Sequence, residues 1–392
     1  MNTNTKLEAI TEQTMVVGID VSKKDHLARV FDYRGTELCK KIEFGNSREG
    51  FCSFTGRIEA LKAEHMKPDI IIGLEPTGVY GHVLISYLKD KGYNVVYTLG
   101  MQVKRAKELE DNSPAKNDFK DAKTIASLVN SGYYFDIRTY SREIAELKEA
   151  TGFAYQLTKK LTRVKCQIKD CLTEYFPEFT TAFKSFAYSG RSSSNKTALV
   201  TLHLFPLPCQ VDALTAEEIV EAWRAAGVKK GIGIKKARQL KQLAAGTVGL
   251  EATESVRIKF RGLMDELDLL TGQEAGIWQR VRALVEGNAD FQAINAIPYL
   301  SLRLAANLLA EVGDFRDFSH PQQLVRLAGL NLKESSSGKS RGRSEITKRG
   351  RAGLRRTLYF IILEQLKNAA PGWHQLHRHN TTRKDNPLKC IC

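Results

Sequence analysis

The sequence predicts an α/β domain at the N-terminus, long helices in the middle and a mainly α-helical domain at the C-terminus. Three observations carry this. Short apolar runs of strand length alternate with helical periodicity over residues 15–135. Residues 141–175 hold a single amphipathic pattern with one Gly and no Pro. Beyond residue 297, helical segments end at Pro and Gly. The corresponding divisions are 1–140, 141–290 and 291–392.

In the first division, Met15 to Ser22 reads as a buried strand and His26 to Asp32 alternates as its antiparallel neighbour. Tyr33-Arg34-Gly35-Thr36 supplies a turn, and Glu37 to Phe44 alternates again. A helix fits Ser47 to Glu64, a strand Asp69 to Glu75, a helix Val79 to Lys91 and a last strand Asn94 to Leu99. Three antiparallel strands followed by α, β, α, β is the order of the ribonuclease-H-like fold.

Leu157, Leu161, Val164, Ile168 and Leu172 recur at three- and four-residue steps, which predicts one helix from Ser141 to Tyr175. Its length suits an arm or coiled coil. Helical pieces broken by Ser- and Pro-containing loops fill 177–250, and a second long helix from Glu251 to Val285 can pair with the first. Leu302 to Val312, Pro321 to Leu327 (ended by Gly329) and Lys348 to Gln365 read as helices, with a loop from Asn331 to Glu345.

Composition restricts the partners. The 59 Lys and Arg outnumber 44 Asp and Glu, giving a net charge of +15, so a polyanion is expected. No run approaches the roughly 18 apolar residues of a membrane span, and the first residues lack the apolar core of a signal peptide. A cytoplasmic protein, near the nucleoid when bound to DNA, is expected. The 7 cysteines are odd in number and scattered, which reads as reduced, mostly buried thiols.

Asp20 closes the apolar run Met15-Val16-Val17-Gly18-Ile19, and Glu75 closes Ile70-Ile71-Ile72-Gly73-Leu74. Asp118 and Asp121 sit three apart at the start of a helix-like stretch, so they share one helix face. Magnesium takes carboxylates, water and substrate oxygens, and two-metal phosphoryl sites gather three or four acids around one point. In a right-handed crossover unit both strand ends open on one sheet edge. In so basic a chain, four such acids point to Mg²⁺-assisted phosphodiester chemistry. Taken singly, each acid could merely cap or solvate an element.

A second constellation runs from Lys333 to Arg356, with nine basic and two acidic residues around Ser335-Ser336-Ser337-Gly338-Lys339. Glycines admit a phosphate closely, and Lys339, Arg341, Arg343, Lys348, Arg349 and Arg355 can brace it. A serine there could act as a nucleophile, or the loop could only grip a backbone. The first glycine of a Walker A loop is missing, and no nearby His announces a Ser-His-Asp triad. Gly231-Ile232-Gly233, followed by Lys235, Lys236 and Arg238, resembles a helix-hairpin-helix turn, but one such tripeptide is weak evidence and a plain turn is the stronger reading.

Taken together, Gly18-Ile19-Asp20-Val21-Ser22-Lys23, Leu74-Glu75-Pro76-Thr77-Gly78-Val79-Tyr80 and Lys116-Asn117-Asp118 with Asp121-Ala122 resemble the DEDD motifs of insertion-sequence recombinases. These are the transposases of the IS-one-ten family, with the Piv-type DNA invertases. The likeness continues from Phe318 through Leu327-Ala328-Gly329-Leu330, Ser337-Gly338-Lys339, Ile346-Thr347-Lys348-Arg349-Gly350 and Leu354-Arg355. It departs at Asn117, where threonine is usual, and at Tyr299-Leu300-Ser301, where a Gly-Ile-Gly turn is usual.

The resemblance implies a RuvC-like N-terminal domain and a C-terminal transposase domain. Asp20, Glu75, Asp118 and Asp121 would hold Mg²⁺, and Ser337 would join covalently to a DNA 5′ phosphate. Donor and target DNA, a structured guide (bridge) RNA and a homo-oligomer, dimer or tetramer, are the implied partners, with no membrane. The competing reading is a metal-dependent RuvC-like junction nuclease that hydrolyses DNA with water.

Overall fold

The computed structural model describes residues 3–75, 78–110, 118–183, 193–333, 336–337, 340–341, 345–368, 372–373, 375 and 378. The chain forms two compact units, Met1–Thr139 and Tyr140–Cys392.

The first unit is built on a six-stranded sheet of order β3-β2-β1-β4-β5-β6. After α1 (Thr3–Glu8) come β1 (Thr14–Asp20), β2 (Asp25–Asp32) and β3 (Glu37–Gly45), paired antiparallel. Then follow α2 (Arg48–His65), β4 (Asp69–Leu74), α3 (His82–Asp90) and β5 (Asn94–Tyr97), with β4 parallel to both β1 and β5. The unit closes with α4 (Gly100–Glu110), α5 (Asp118–Asn130) and β6 (Phe135–Asp136), the last antiparallel to β5.

Period-two alternation sorts each strand's side chains onto two faces. Met15, Val17 and Ile19 of β1, with Ile72 and Leu74 of β4, pack against Phe51, Phe54 and Ile58 of α2 and Leu84 and Leu88 of α3. Val16, Ile71 and Val96 face the other way, against Ala126 and Val129 of α5. Ser47 starts α2 by accepting the Gly50 N–H at 3.1 Å, where the sequence places the helix start. Helix α3 begins only at His82, because residues 78–80 form a turn. Helix α4 is not foreseen from the sequence, since Val103 is its only fully buried side chain among the described residues and the apolar stripe is faint.

The second unit is organised along α6 (Arg142–Tyr175). It continues with α7 (Phe179–Ala182), α8 (Ser193–Leu204), α9 (Pro208–Asp212), α10 (Ala216–Ala225), α11 (Ile234–Ala245) and the 32-residue α12 (Glu254–Val285). Helices α6 and α12 run antiparallel, since Leu147 and Ala150 meet Val281 and Val285 while Leu172 shares a core with Phe260. The latter core also takes in α7–α11 around Trp223, which is fully buried and donates its indole N–H to Thr201 Oγ1 at 2.9 Å.

Next come α13 (Ala289–Asn295), α14 (Leu302–Val312), a 3-10 turn (Phe315–Asp317) and α15 (Pro321–Ala328). Tyr299 takes φ 62°, the left-handed conformation a glycine would adopt freely, just before Ser301 caps α14. Short strands β7 (Leu332–Lys333), β8 (Ser336–Ser337), β9 (Ser340–Arg341) and β10 (Glu345–Ile346) precede α16 (Ala352–Lys367). The stretch expected as an open loop is therefore paired at its base, β7 with β10. Helix α16 starts four residues after Lys348, because Lys348 has φ 54° and its N–H returns to Gly329 O at 2.9 Å.

Among the described residues, Cys39, Cys52, Cys166, Cys171 and Cys209 are free thiols. Only Cys171 is buried, which corrects the expectation of mostly buried cysteines. No helix among the described residues is long and apolar enough to cross a membrane.

Candidate active site at the strand ends

Two glycines set the geometry. In the parallel register of β1 and β4, Gly18 lies beside Gly73. A Cβ on Gly18 would fall 2.0 Å from Ala122 O, and one on Gly73 would fall 2.5 Å from a Val129 methyl. Helix α5 therefore lies backbone against backbone on β1 and sets its Ile125 and Val129 side chains directly on β4. Two residues further on, Asp20 and Glu75 return to this same face by alternation. The last paired positions are Ile19 and Leu74, so the two acids stand next to each other at adjoining strand ends, roughly 5 Å apart in backbone.

Asp121 immediately precedes Ala122 and is 9% exposed. The ammonium of Lys107 on α4 forms an ion pair with its Oδ1, which takes no other hydrogen bond among the described residues. Val103 and Ala106 of α4 pack on Ile125 and Leu128 of α5, which fixes this pairing. Glu75 lies against Gly100, the first residue of α4: a Cβ there would come within 2.4 Å of Glu75 Oε1. At the end of β5, Thr98 donates its N–H to Leu74 O at 3.0 Å. Its hydroxyl is fully buried and, like Gln102 Oε1, lacks a partner among the described residues.

Asp118 begins α5, and its side chain lies outside the described residues. The structure thus brings Asp20, Glu75 and Asp121 to one end of the sheet. Among the described residues, no three acidic, His or Cys side chains already form a metal cage. The donor set nonetheless suits a hard divalent ion: it is all carboxylate, and the missing side chain at Gly100 leaves room at Glu75.

Lys107, Gly100 and the paired glycines escape a reading of the sequence alone. A signal for the last is present: Val17-Gly18-Ile19-Asp20 and Ile72-Gly73-Leu74-Glu75 repeat one pattern, apolar-Gly-apolar-acid, at both strand ends.

In the second unit, Ser337 opposes Ser340 and Ser336 opposes Arg341 in the β8–β9 pair. The side chains of Ser336, Ser337 and Arg341 lie outside the described residues, as do Ser335, Gly338, Lys339 and Arg343 entirely. The base of this segment is tightly built. A Cβ on Gly350 would meet Gly329 N at 2.4 Å, and Arg355 Nη1 donates to Ala328 O at 2.7 Å, closing the end of α15. Lys348 and Arg349 are exposed. Arg356 stacks on Tyr155 with its guanidinium carbon 3.3 Å from the ring centroid.

Residues 17–177 match the DEDD-type transposase profile of IS110 elements, and residues 292–378 match the profile described as "Transposase IS116/IS110/IS902 family". The chain belongs to the IS110 family of transposases.

The whole-length similarities agree. The transposase is 23% identical over 366 residues to an uncharacterized 43.6 kDa protein of insertion element IS110 from Streptomyces coelicolor, spanning 91% of this chain and 84% of that protein. It is 22% identical over 367 residues to an uncharacterized 44.8 kDa protein of insertion element IS116 from Streptomyces clavuligerus, spanning 91% and 85%. Over 93 residues, 23% of this chain and 26% of the other, it is 31% identical to the transposase for insertion sequence element IS1111A from Coxiella burnetii. The first matched segment contains Asp20, Glu75, Asp118 and Asp121; the second contains the serine segment. DEDD transposase domains use a divalent metal, and transposition makes DNA the substrate.

Proposed function

We propose that this transposase excises and inserts an insertion sequence through a composite site of DEDD carboxylates and Ser337. The observation that carries the reading is the side-by-side placement of Asp20 and Glu75 by Gly18 and Gly73 beneath α5, with Asp121 on that helix. Asp20, Glu75, Asp118 and Asp121 are the residues that would hold Mg²⁺. Bound there, Mg²⁺ supplies charge stabilisation to a phosphate in displacement.

In the proposed step Ser337 Oγ attacks the phosphorus. The Oγ–P bond forms, the P–O3′ bond breaks, the hydroxyl proton is lost from Oγ, and the 3′ oxygen leaves as a hydroxyl. The enzyme is then joined to the DNA 5′ phosphate. A 3′ hydroxyl of the partner strand attacks that phosphoserine in reverse and releases the serine, so no phosphodiester energy is lost. Lys339, Arg341, Arg343, Lys348 and Arg349 are the cations proposed to hold the phosphate, and Arg355 braces the segment from below. A ribonuclease-H-like, RuvC-like reading of residues 1–140 goes with this. So does assembly of subunits through the α6–α12 region (141–290), with a C-terminal transposase domain at 291–392. Recognition of donor and target by a structured guide RNA is proposed with it, and sequencing RNA co-purified with the protein tests that part.

The decisive experiment is a denaturing gel of the protein incubated with labelled element-end DNA and Mg²⁺. Wild type should give a protein–DNA adduct that Ser337→Ala abolishes, while Asp20→Asn loses both adduct and cleavage. Full-rate cutting by Ser337→Ala without any adduct would establish water-driven hydrolysis instead.

A further inference from the structure

The two matched segments leave residues 178–291 between them, and that stretch carries the acid-free run richest in Lys and Arg in the second unit. From Arg224 to Ala245 there are seven basic residues and no acidic one. Helices α10 and α11 pack together around Trp223 and Leu240, joined by the turn that ends in Gly231-Ile232-Gly233.

This turn is firmly seated. Val228 is 3% exposed and its N–H donates to Trp223 O at 3.0 Å. Lys196 Nζ donates to Gly227 O at 2.8 Å, and Thr197 Oγ1 reaches Lys230 O at 3.4 Å. Gly227 and Gly231 both take φ 74°, which folds the turn outward, and nothing lies within 4 Å of where a Gly233 Cβ would be. Lys196, Gly227, Val228, Lys229 and Lys230 line an open cavity of about 300 Å³.

The cations divide into two sets. Lys236 donates to Ala182 O, Lys241 pairs with Asp212, and Arg238 pairs weakly with Glu217 at 4.0 Å. Those three belong to the fold. The side chains of Arg224, Lys229, Lys230 and Lys235 are exposed and have no partner among the described residues. Unneutralised cations held on a stiff scaffold raise the local potential and attract a polyanion. No large apolar side chain is exposed between Phe205 and Thr247, so the surface lacks both a membrane anchor and the apolar centre of a protein interface.

We propose that the α10–α11 turn, through Lys229, Lys230 and Lys235, is a second, sequence-independent binding surface for the phosphate backbone of duplex DNA. It rests on the DNA chemistry of the transposase, and it lies outside both family-matched segments. Its work would be to hold flanking duplex while the carboxylates and the serine act elsewhere.

The test is fluorescence anisotropy of the full-length protein on a duplex of unrelated sequence across a salt series. The Lys229→Ala/Lys230→Ala/Lys235→Ala variant should bind about tenfold or more weakly at about 0.1 M salt. Its slope of log K against log salt should fall by about 2–3, near 0.9 for each phosphate no longer neutralised. The corresponding triple Lys→Arg variant should restore both values. Wild-type affinity and slope in the alanine variant would overturn the surface alone. So would failure of the arginine variant to rescue, or a loss confined to structured RNA. Absence of duplex binding by the wild type would overturn the surface and the DNA reading together.

Discussion

At the scale of single residues, the site depends as much on what faces the acids as on the acids themselves. The Lys107 ammonium pairs with Asp121 Oδ1, so a cation held by that carboxylate would meet a positive charge beside it. Two unit charges at 4 Å interact by about 1 kcal/mol in water, roughly a fivefold effect on an equilibrium, and by more where solvent is excluded. Lys107→Met keeps the aliphatic stem and removes the charge. It should bind Mg²⁺ or Mn²⁺ about fivefold more tightly or better, read as a larger metal-induced rise in Tm, and should be less stable without metal. An identical metal response in variant and wild type would show that Lys107 does not compete. The acids are legible because an acidic residue at the end of an apolar strand is a local pattern. Lys107 is not, because its meaning lies in the packing of Val103 and Ala106 on Ile125 and Leu128, and no spacing in the sequence encodes that packing.

At the scale of elements, α5 is the part that turns a sheet into a site. Its contact with β1 has no slack, since a Gly18 Cβ would meet backbone atoms, Ala122 O at 2.0 Å and Ala126 N at 2.7 Å. Gly18→Ala must lift the helix or bend the strand. A cost of about 1–3 kcal/mol is expected in urea unfolding, together with loss of DNA cleavage as Asp121 moves away from Asp20. Unchanged stability would mean that the two elements do not touch through their backbones.

On the opposite face, β2 and β3 close on α2 around His26, which is 1% exposed and sits 5.2 Å from the Phe44 ring, centroid to centroid. Its Nε2 has no partner among the described residues, and burial pushes its pKa below the ordinary 6.5, against the opposing pull of Asn46 and Asp25. The unfolded chain therefore binds this proton first. Stability from the neutral imidazole is complete above pH 6.5 and declines as pH falls from there through the lowered folded value. His26→Phe should flatten that acid-side fall in Tm, and an unchanged pH profile would assign the fall to other groups.

The strands and long helices are legible throughout, because each buries enough apolar surface to impose its own period. Helix α4 and strand β6 are not: one buries almost nothing of its own, and the other is two residues long and exists by pairing with β5. The serine segment reads as an open loop because paired two-residue strands leave no periodicity to detect.

At the scale of the whole molecule, the carboxylates belong to the unit Met1–Thr139 and Ser337 to the unit Tyr140–Cys392. Two compact bodies, each with its own core, carry the two halves of the proposed chemistry. The proposed chemistry therefore asks for carboxylates from one unit and a serine from the other to reach one phosphate. If that pairing is made between subunits, two dead proteins can repair each other. Asp20→Asn retains its serine and Ser337→Ala retains its carboxylates, so a mixed dimer holds one intact pairing and one doubly defective one. Random mixing of equal amounts makes half the dimers mixed, which leaves about a quarter of all composite sites intact. Recombination of a donor plasmid by the mixture should therefore reach about a quarter of the wild-type level, with each variant inactive alone. A site completed within one subunit predicts no recovery at any mixing ratio, since every chain then carries its own defect.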